Sequence, residues 1–299
     1  MAYPIVDAPY GLKPINLIGG QVFAGSTRNI PIQYGFNTNI FYGDVVGIAR
    51  GFAVRSVVTT GAGATTGGTG GGTVGVFLGC TFTNPVTKQK QFQQFWPAGT
   101  LAGDAVAIVT DDPDTLFRVA AVISDGSTTI GSIARSDVGQ NCNGSNLAGN
   151  VNTGNSSNAI VAATAAATST LPFRIVDVVP DTAITATAVL SSGGGGTSLV
   201  CTGLTRTLPV GTDVAYLAPN GQLIGTGSRV SAAVTGTGSQ TVSINAQAAT
   251  VNAPTGTAST GITIPANSTM VFTIYQEAIV KLNFGIHSYY SNTTNAVTL

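Results

Sequence analysis

Residues Val74 to Val119 read VGVFLGCTFTNPVTKQKQFQQFWPAGTLAGDAVAIVTDDPDTLFRV, and this stretch decides the fold class. Apolar residues alternate with small or polar ones from Val74 to Phe82 and again from Ala105 to Val109, the period-two pattern of half-buried strands. Turn chemistry separates the runs at Asn84-Pro85, Pro97-Ala98-Gly99 and Asp111-Asp112-Pro113-Asp114. The block reads as ordered scaffold without catalytic apparatus.

The rest of the chain has the same texture. At 299 residues it can bury a sizeable core, as one large β domain or two smaller ones. Val, Ile and Thr are abundant, Gly and Pro punctuate throughout, and no window sustains the i, i+3, i+4, i+7 apolar spacing of a long amphipathic helix. The expected class is all-β, an antiparallel core of barrel or sandwich type.

Only 8% of residues are charged, against roughly a quarter in an ordinary soluble domain, and 12 Lys and Arg balance 12 Asp and Glu. So little charge gives weak electrostatic protection against association, which favours a chain meant to be covered by partners; solvation by Thr, Ser, Asn and Gln is the plainer alternative. Lys13, Arg28, Arg50, Arg55, Lys88 and Lys90 are scattered, with no basic stripe for nucleic acid. No run approaches the ~18 to 20 apolar residues of a membrane-spanning helix. Met1 to Gly11 holds two prolines and Asp7 and lacks the pattern of a secretory signal, so synthesis and folding in a cytoplasm are expected. Cys80, Cys142 and Cys201 lie far apart without CxxC spacing, which argues against a disulfide or zinc framework, and Cys80 reads as a small buried hydrophobe.

Along the chain, residues 1–20 read as an extended N-terminal arm, with a first strand tucked into its own domain as the alternative. Asn29 to Gln33 and Asn39 to Ile48 read as strands. Two low-complexity stretches interrupt the core: the Gly/Thr/Ala run Thr59 to Thr73, expected as a surface loop, and the Asn/Gly/Ser run Gly139 to Asn158, rich in turn signals. Ala159 to Thr168 fits either a short helix by its alanines or a strand edge by its threonines.

From about residue 183 to 275 short alternating runs (Ala186 to Leu190, Ser198 to Cys201, Asp213 to Leu217, Val230 to Val234, Thr241 to Ile244, Thr269 to Ile274) are joined by Gly/Thr/Ser loops. A turn at every ~10 residues is the pattern of a small sandwich or barrel. We expect an inserted β domain at 183–275 within a core formed by 21–182 and 276–299. That insertion would make Phe173 to Val179 and Ala278 to Ile286 spatial neighbours. Gly43-Asp44, Gly103-Asp104 and Gly211-Thr212-Asp213 each precede a strand, an echo that repeated turn chemistry explains as well as duplication does.

Catalytic equipment is thin. The chain has one histidine, His287, and one glutamate, Glu277, with no Gly-x-Ser-x-Gly elbow, so His287 reads as structural and the protein as no enzyme, without cofactor or metal. Asp111, Asp112 and Asp114 offer oxygen ligands for a hard cation or an acid pair for a glycosidase, but a Pro-containing turn between strands is the favoured reading. The glycine run at 61–72 lacks the Lys-Ser/Thr of a phosphate loop. Lys88 to Trp96, KQKQFQQFW, sets Phe92, Phe95 and Trp96 among amides, a pattern open to core packing, interface anchoring or glycan stacking.

Several segments in order carry a resemblance. GVFLGC (75–80), FWPAGT (95–100) and GDAVAIVTDDPDTLF (103–117), preceded by DAPYGLKP (7–14) and followed by LPFRIVDVV (171–179) and EAIVKLN (277–283), are similar to the decoration, or cement, proteins of tailed bacteriophages. The match covers most of residues 1–182 and about 276–290 and leaves the segment between unexplained. The resemblance implies a virion protein on the outer capsid surface that stabilises the major capsid protein lattice, an oligomer, expected as a trimer, and an inserted domain that projects as a knob. Arm contacts are expected from Tyr3 to Pro14, chiefly Tyr3, Pro4, Pro9, Tyr10, Leu12 and Lys13, and subunit packing from Phe92, Phe95 and Trp96. Deleting residues 2–14 should then abolish capsid binding and leave the fold intact. The alternatives are a β-rich adhesin or receptor-binding protein with a glycan on the inserted domain, disfavoured by its few aromatics (Tyr216, Phe272, Tyr275), and a polysaccharide-degrading enzyme.

Overall fold

The structure, a computed structural model, describes residues 5–56, 58, 71–191, 197–245, 249–250 and 264–283. It is almost all β, with antiparallel sheets and one nearly closed barrel-like sheet. The chain divides into two units: a smaller one of Met1–Val6, Gly131–Val138 and Val178–Glu277, and a larger one of Asp7–Ile130, Gly139–Asp177 and Ala278–Leu299.

Strands β1 (Lys13–Leu17), β2 (Arg28–Pro31), β3 (Val45–Ala49), β4 (Phe52–Arg55), β5 (Gly71–Thr83), β6 (Lys90–Gln93), β7 (Val106–Thr110), β8 (Thr115–Val122), β9 (Asn141–Cys142), β10 (Gly144–Ser145), β11 (Ala159–Val161) and β12 (Phe173–Val178) come first. β13 (Ile184–Leu190), β14 (Ser198–Leu204), β15 (Asp213–Leu217), β16 (Leu223–Arg229), β17 (Gly238–Ser243), β18 (Ala249–Thr250) and β19 (Thr269–Ile274) follow, and β20 (Glu277–Leu282) closes the series. In the larger unit one sheet runs β2-β7-β5-β3-β4 with β6 also on β5, and the other β10-β11-β8-β20-β12-β9 with β1 on β8. β11 runs parallel to β8.

β5 is the spine of the first sheet. Its register against β7 shifts between Phe77 and Gly79, and the extra residue resets which face each side chain takes. Val74, Phe77, Cys80 and Phe82 thereby share one core with Ala107, Val109 and Trp96. Next to the Val76–Thr110 pair, a Cβ on Gly75 would collide with the Thr110 carbonyl oxygen, so only glycine lets these strands approach.

Within the expected arm, residues 9–17 are held by the larger unit. Pro9 and Leu12 are buried, the Leu12 amide donates to the Gly43 carbonyl at 3.0 Å, and β1 pairs antiparallel with β8. The apolar Leu12 is drawn into the core because Gly11 and Gly43, both at positive φ, let the two backbones meet.

The Asn/Gly/Ser run is likewise not an interruption of the core but part of it. Cys142, Ser145, Ser156 and Asn158 are buried. A Cβ on Gly144 would strike Val58 and Phe173, and one on Gly149 would strike the Phe41 ring. Small residues here permit close approach rather than looseness. Ala159 to Thr168 resolves into β11 followed by a 3-10 turn at Ala162–Thr164. Of the run Thr59 to Thr73, residues 59–70 lie outside the described residues.

The smaller unit's sheet runs β17-β14-β13-β19-β15-β16-β18. β13 alternates buried and exposed residues along its whole length, which sends Ile184, Ala186, Ala188 and Leu190 inward. They meet Cys201, Tyr216, Met270 and Phe272 in one core. A bridge between Val230 and Ile244 joins the end of β16 to the end of β17 and nearly closes the barrel. Val230 to Val234, expected as a strand, is bridged at Val230 with Ile244 and at Val234 with Leu208 and forms no continuous strand. Leu223–Arg229 is the strand instead, held by pairing with β15 despite two glycines.

β12 and β20 are neighbours in the larger unit's second sheet. Asn283 donates its amide to the Pro172 carbonyl at 2.9 Å, and Val179 donates to Glu277 at 3.0 Å. Residues 180–276 therefore leave and return side by side. Phe284 to Ile286 of the expected closing strand lie outside the described residues.

Candidate functional site

Among the expected contact residues, Tyr3 and Pro4 lie outside the described residues. Tyr10 is half-buried and the exposed Lys13 holds its ammonium 5.1 Å from the Tyr10 ring centroid, a cation–π contact. Pro9 and Leu12 are buried in the larger unit, so neither presents a surface for a partner.

The aromatic trio separates. Phe92 is 77% exposed on β6, whose residues alternate between exposed and half-buried. Phe95 is half-buried and stacks on Phe41, with ring centroids 5.5 Å apart. Trp96 is fully buried, which corrects its assignment to subunit packing. Its Nε1 donates to the Phe36 carbonyl at 3.1 Å, its ring meets Phe82 edge-on at 5.4 Å, and its backbone bridges Ile40. Two strands' worth of core hold it; no indole surface remains to anchor another chain.

An open depression of about 480 Å³ lies beside Phe92, lined by Tyr42, Leu78, Cys80, Gln93, Gln94 and Ile108. Its lining carries no charged side chain. The Cys80 thiol is buried, donates to the Phe95 carbonyl at 3.4 Å, and is pushed up to about 12 by burial, so it stays protonated. The depression offers apolar contact and amides, with no nucleophile and no charge.

The polar groups inside the larger unit form a network that sequence reading missed. Asp44 is fully buried. It accepts from the Phe41 amide at 2.9 Å and from Ser156 Oγ at 2.6 Å, and it pairs with Arg55 Nε at 3.0 Å. Arg55 Nη2 donates to the Leu147 carbonyl at 2.6 Å and to Asn158 Oδ1 at 3.1 Å. Burial pushes the Asp44 carboxyl above the usual carboxylate range, and the Arg55 guanidinium opposes that push. This network pins the Gly43-Asp44 turn, Arg55 and the Asn-rich run to one another. Gly43-Asp44, one of the three Gly-Asp steps seen before strands, was its trace in the sequence.

The three aspartates of the Pro113 turn have structural partners. Asp112 Oδ1 accepts from the Asp114 amide at 2.9 Å, Asp111 pairs with Arg28 at 2.8 Å, and Asp114 lies 3.9 Å from Lys281 Nζ. Glu277 is buried and accepts from Thr182 Oγ1 at 2.8 Å. Among the described residues no group of three or more His, Cys, Asp or Glu side chains gathers as metal ligands, and no helix is long and apolar enough to cross a membrane. His287 lies outside the described residues.

No protein-family model, curated protein or solved structure matches the chain.

Proposed function

We propose that the chain is a structural virion protein that decorates the outside of a phage capsid and cements the major capsid protein lattice. The observation that carries this reading is the ordered series of cement-like segments, together with the strands they fall on: DAPYGLKP runs into β1, GVFLGC lies in β5, GDAVAIVTDDPDTLF spans β7 and the start of β8, and LPFRIVDVV and EAIVKLN contain β12 and β20. These strands belong to the larger unit, apart from Val178 and Glu277 at its boundary. The larger unit is accordingly the lattice-binding part and the smaller unit the outward knob.

Two features support the reading. A surface with so few charges tolerates being covered, since little desolvation of ions is needed. The exposed Phe92 beside an uncharged depression is the kind of aromatic anchor that dominates interface energetics, and it is the contact we assign to packing between copies in a homotrimer. Stabilisation then follows from mass action: a ligand that binds the assembled lattice and not its separated subunits shifts the balance toward assembly.

The experiment is to add the purified protein to capsids stripped of their decoration, follow co-sedimentation and measure the temperature at which the shells disassemble. Rebinding with a raised disassembly temperature is expected, and failure to rebind overturns the reading. Phe92→Ala should leave the protein folded and weaken its self-association at least about tenfold, the loss of a single aromatic anchor worth more than 1.4 kcal/mol.

A further inference from the structure

The segment Gly131–Val138 belongs to the smaller unit and lies as a strap on its barrel. Ile133 donates its amide to the Tyr275 carbonyl at 3.0 Å, and Ser132 Oγ donates to the Gly211 carbonyl at 3.4 Å. Farther along, the Arg135 amide donates to Asp213 Oδ2 at 2.7 Å, and Asp137 Oδ1 pairs with Arg229 Nη1 at 2.6 Å. Asp137 also accepts from the Ala134 amide at 3.1 Å, which folds the strap into its single 3-10 turn, and it is buried.

Asp213 on β15 stands opposite Arg229 on β16 and opposite Thr273 on β19. Two carboxylates, one from the strap and one from the barrel, thus gather about one barrel guanidinium, with the Arg135 guanidinium of the strap as the other charge facing Asp213. The short ion pair goes to Asp137. Asp213 is left as the second carboxylate, half-buried, with the strap's Arg135 amide as its close donor.

We propose that this cluster is a pH-dependent latch, in which a proton taken up by Asp213 tightens the strap on the barrel and loss of that proton loosens it. Burial pushes the Asp213 carboxyl up to about 6; the Arg135 amide opposes, the Asp137 carboxylate adds to the rise, and Arg229 and Arg135 oppose it. Lifting the strap returns Asp213 to water and takes Asp137 away, both of which lower its pKa. Loss of the Arg135 amide and guanidinium, both carried by the strap, acts the other way and is outweighed, because the net displacement is upward. The closed strap therefore holds the Asp213 proton more tightly than the open one does, and by linkage closure is favoured as pH falls. The window runs from about 6 down to about 4, the ordinary carboxylate value; burial pushes the Asp137 carboxyl up as well, and the Arg229 guanidinium opposes that push.

The test is amide hydrogen exchange of Ile133, Arg135 and Asp137 in the full chain at about pH 5 and about pH 8, corrected for intrinsic exchange. Protection should be several-fold higher at the lower pH, up to about tenfold. In Asp213→Asn, which keeps an acceptor oxygen and cannot ionise, most of the pH response should disappear, and protection at both pH values should approach the native chain's acidic one. Equal protection of the native chain at both pH values, or an unchanged pH response in Asp213→Asn, overturns the latch. Should the variant not fold, carbon-13 titration of the Asp213 carboxyl in the native chain decides: a midpoint near 6, moving together with the strap amide shifts, supports the latch, and a midpoint below about 5 overturns it.

Discussion

Asp44 shows how much of this protein's polarity is structural. A carboxylate with no exposed surface is costly to bury, and here the cost is offset by Arg55, Ser156 and the Phe41 amide acting together. Removing one partner leaves the others stranded. Asp44→Ala should destabilise the larger unit by about 3–5 kcal/mol, as expected when a buried ion pair loses one member, whereas Ser156→Ala should cost about 1–2 kcal/mol, both read from urea unfolding midpoints. Equal effects from the two substitutions would mean that Arg55 finds other compensation. The residue scale is also where the sequence was least legible. Phe92 and Trp96 stand close together in one aromatic, amide-rich segment, yet one is exposed on an edge strand and the other sealed in the core. What separates them is a bridge from Trp96 to Ile40, a long-range partner that no local pattern announces.

At the scale of elements, alternation was a good guide wherever one face of a strand met the core. β5, β7, β13 and β19 coincide with runs read directly from apolar spacing. β16 escaped because Gly225 and Gly227 blur its pattern and its pairing with β15 shifts register, so tertiary pairing rather than propensity makes it a strand. The Asn/Gly/Ser run escaped for a related reason: residues small enough to be squeezed between packed elements have the same composition as residues that turn freely in solvent. The start of the chain carries the practical consequence. Removing residues 2–14 takes Leu12 out of the core and two residues from β1, and should destabilise the larger unit by about 3–5 kcal/mol, the range for emptying a buried leucine site. Removing residues 2–8 forfeits the hydrogen bond from the Val6 amide to Gln276 Oε1, worth about 1 kcal/mol, and should leave β1 in place. Only the shorter truncation therefore tests arm contacts with a capsid cleanly, with thermal unfolding as the control.

For the whole molecule, the side-by-side departure and return at β12 and β20 predicts that residues 180–276 can be replaced by a short turn of about two to four residues without unfolding the larger unit. The shortened chain should keep a cooperative unfolding transition and a β-type circular dichroism spectrum. Loss of cooperativity would mean that the larger unit depends on the residues removed.

The near-closure of the smaller unit's barrel has one more consequence. A protein with as many positive as negative charges, and few of either, has little mutual repulsion to keep its copies apart. Exposed strand borders are the usual template for uncontrolled stacking, and the bridge between Val230 and Ile244 joins the ends of β16 and β17 and so covers part of that border. In this unit topology guards against stacking where charge does little. A surface with few charges can then meet another copy without the two sheets fusing.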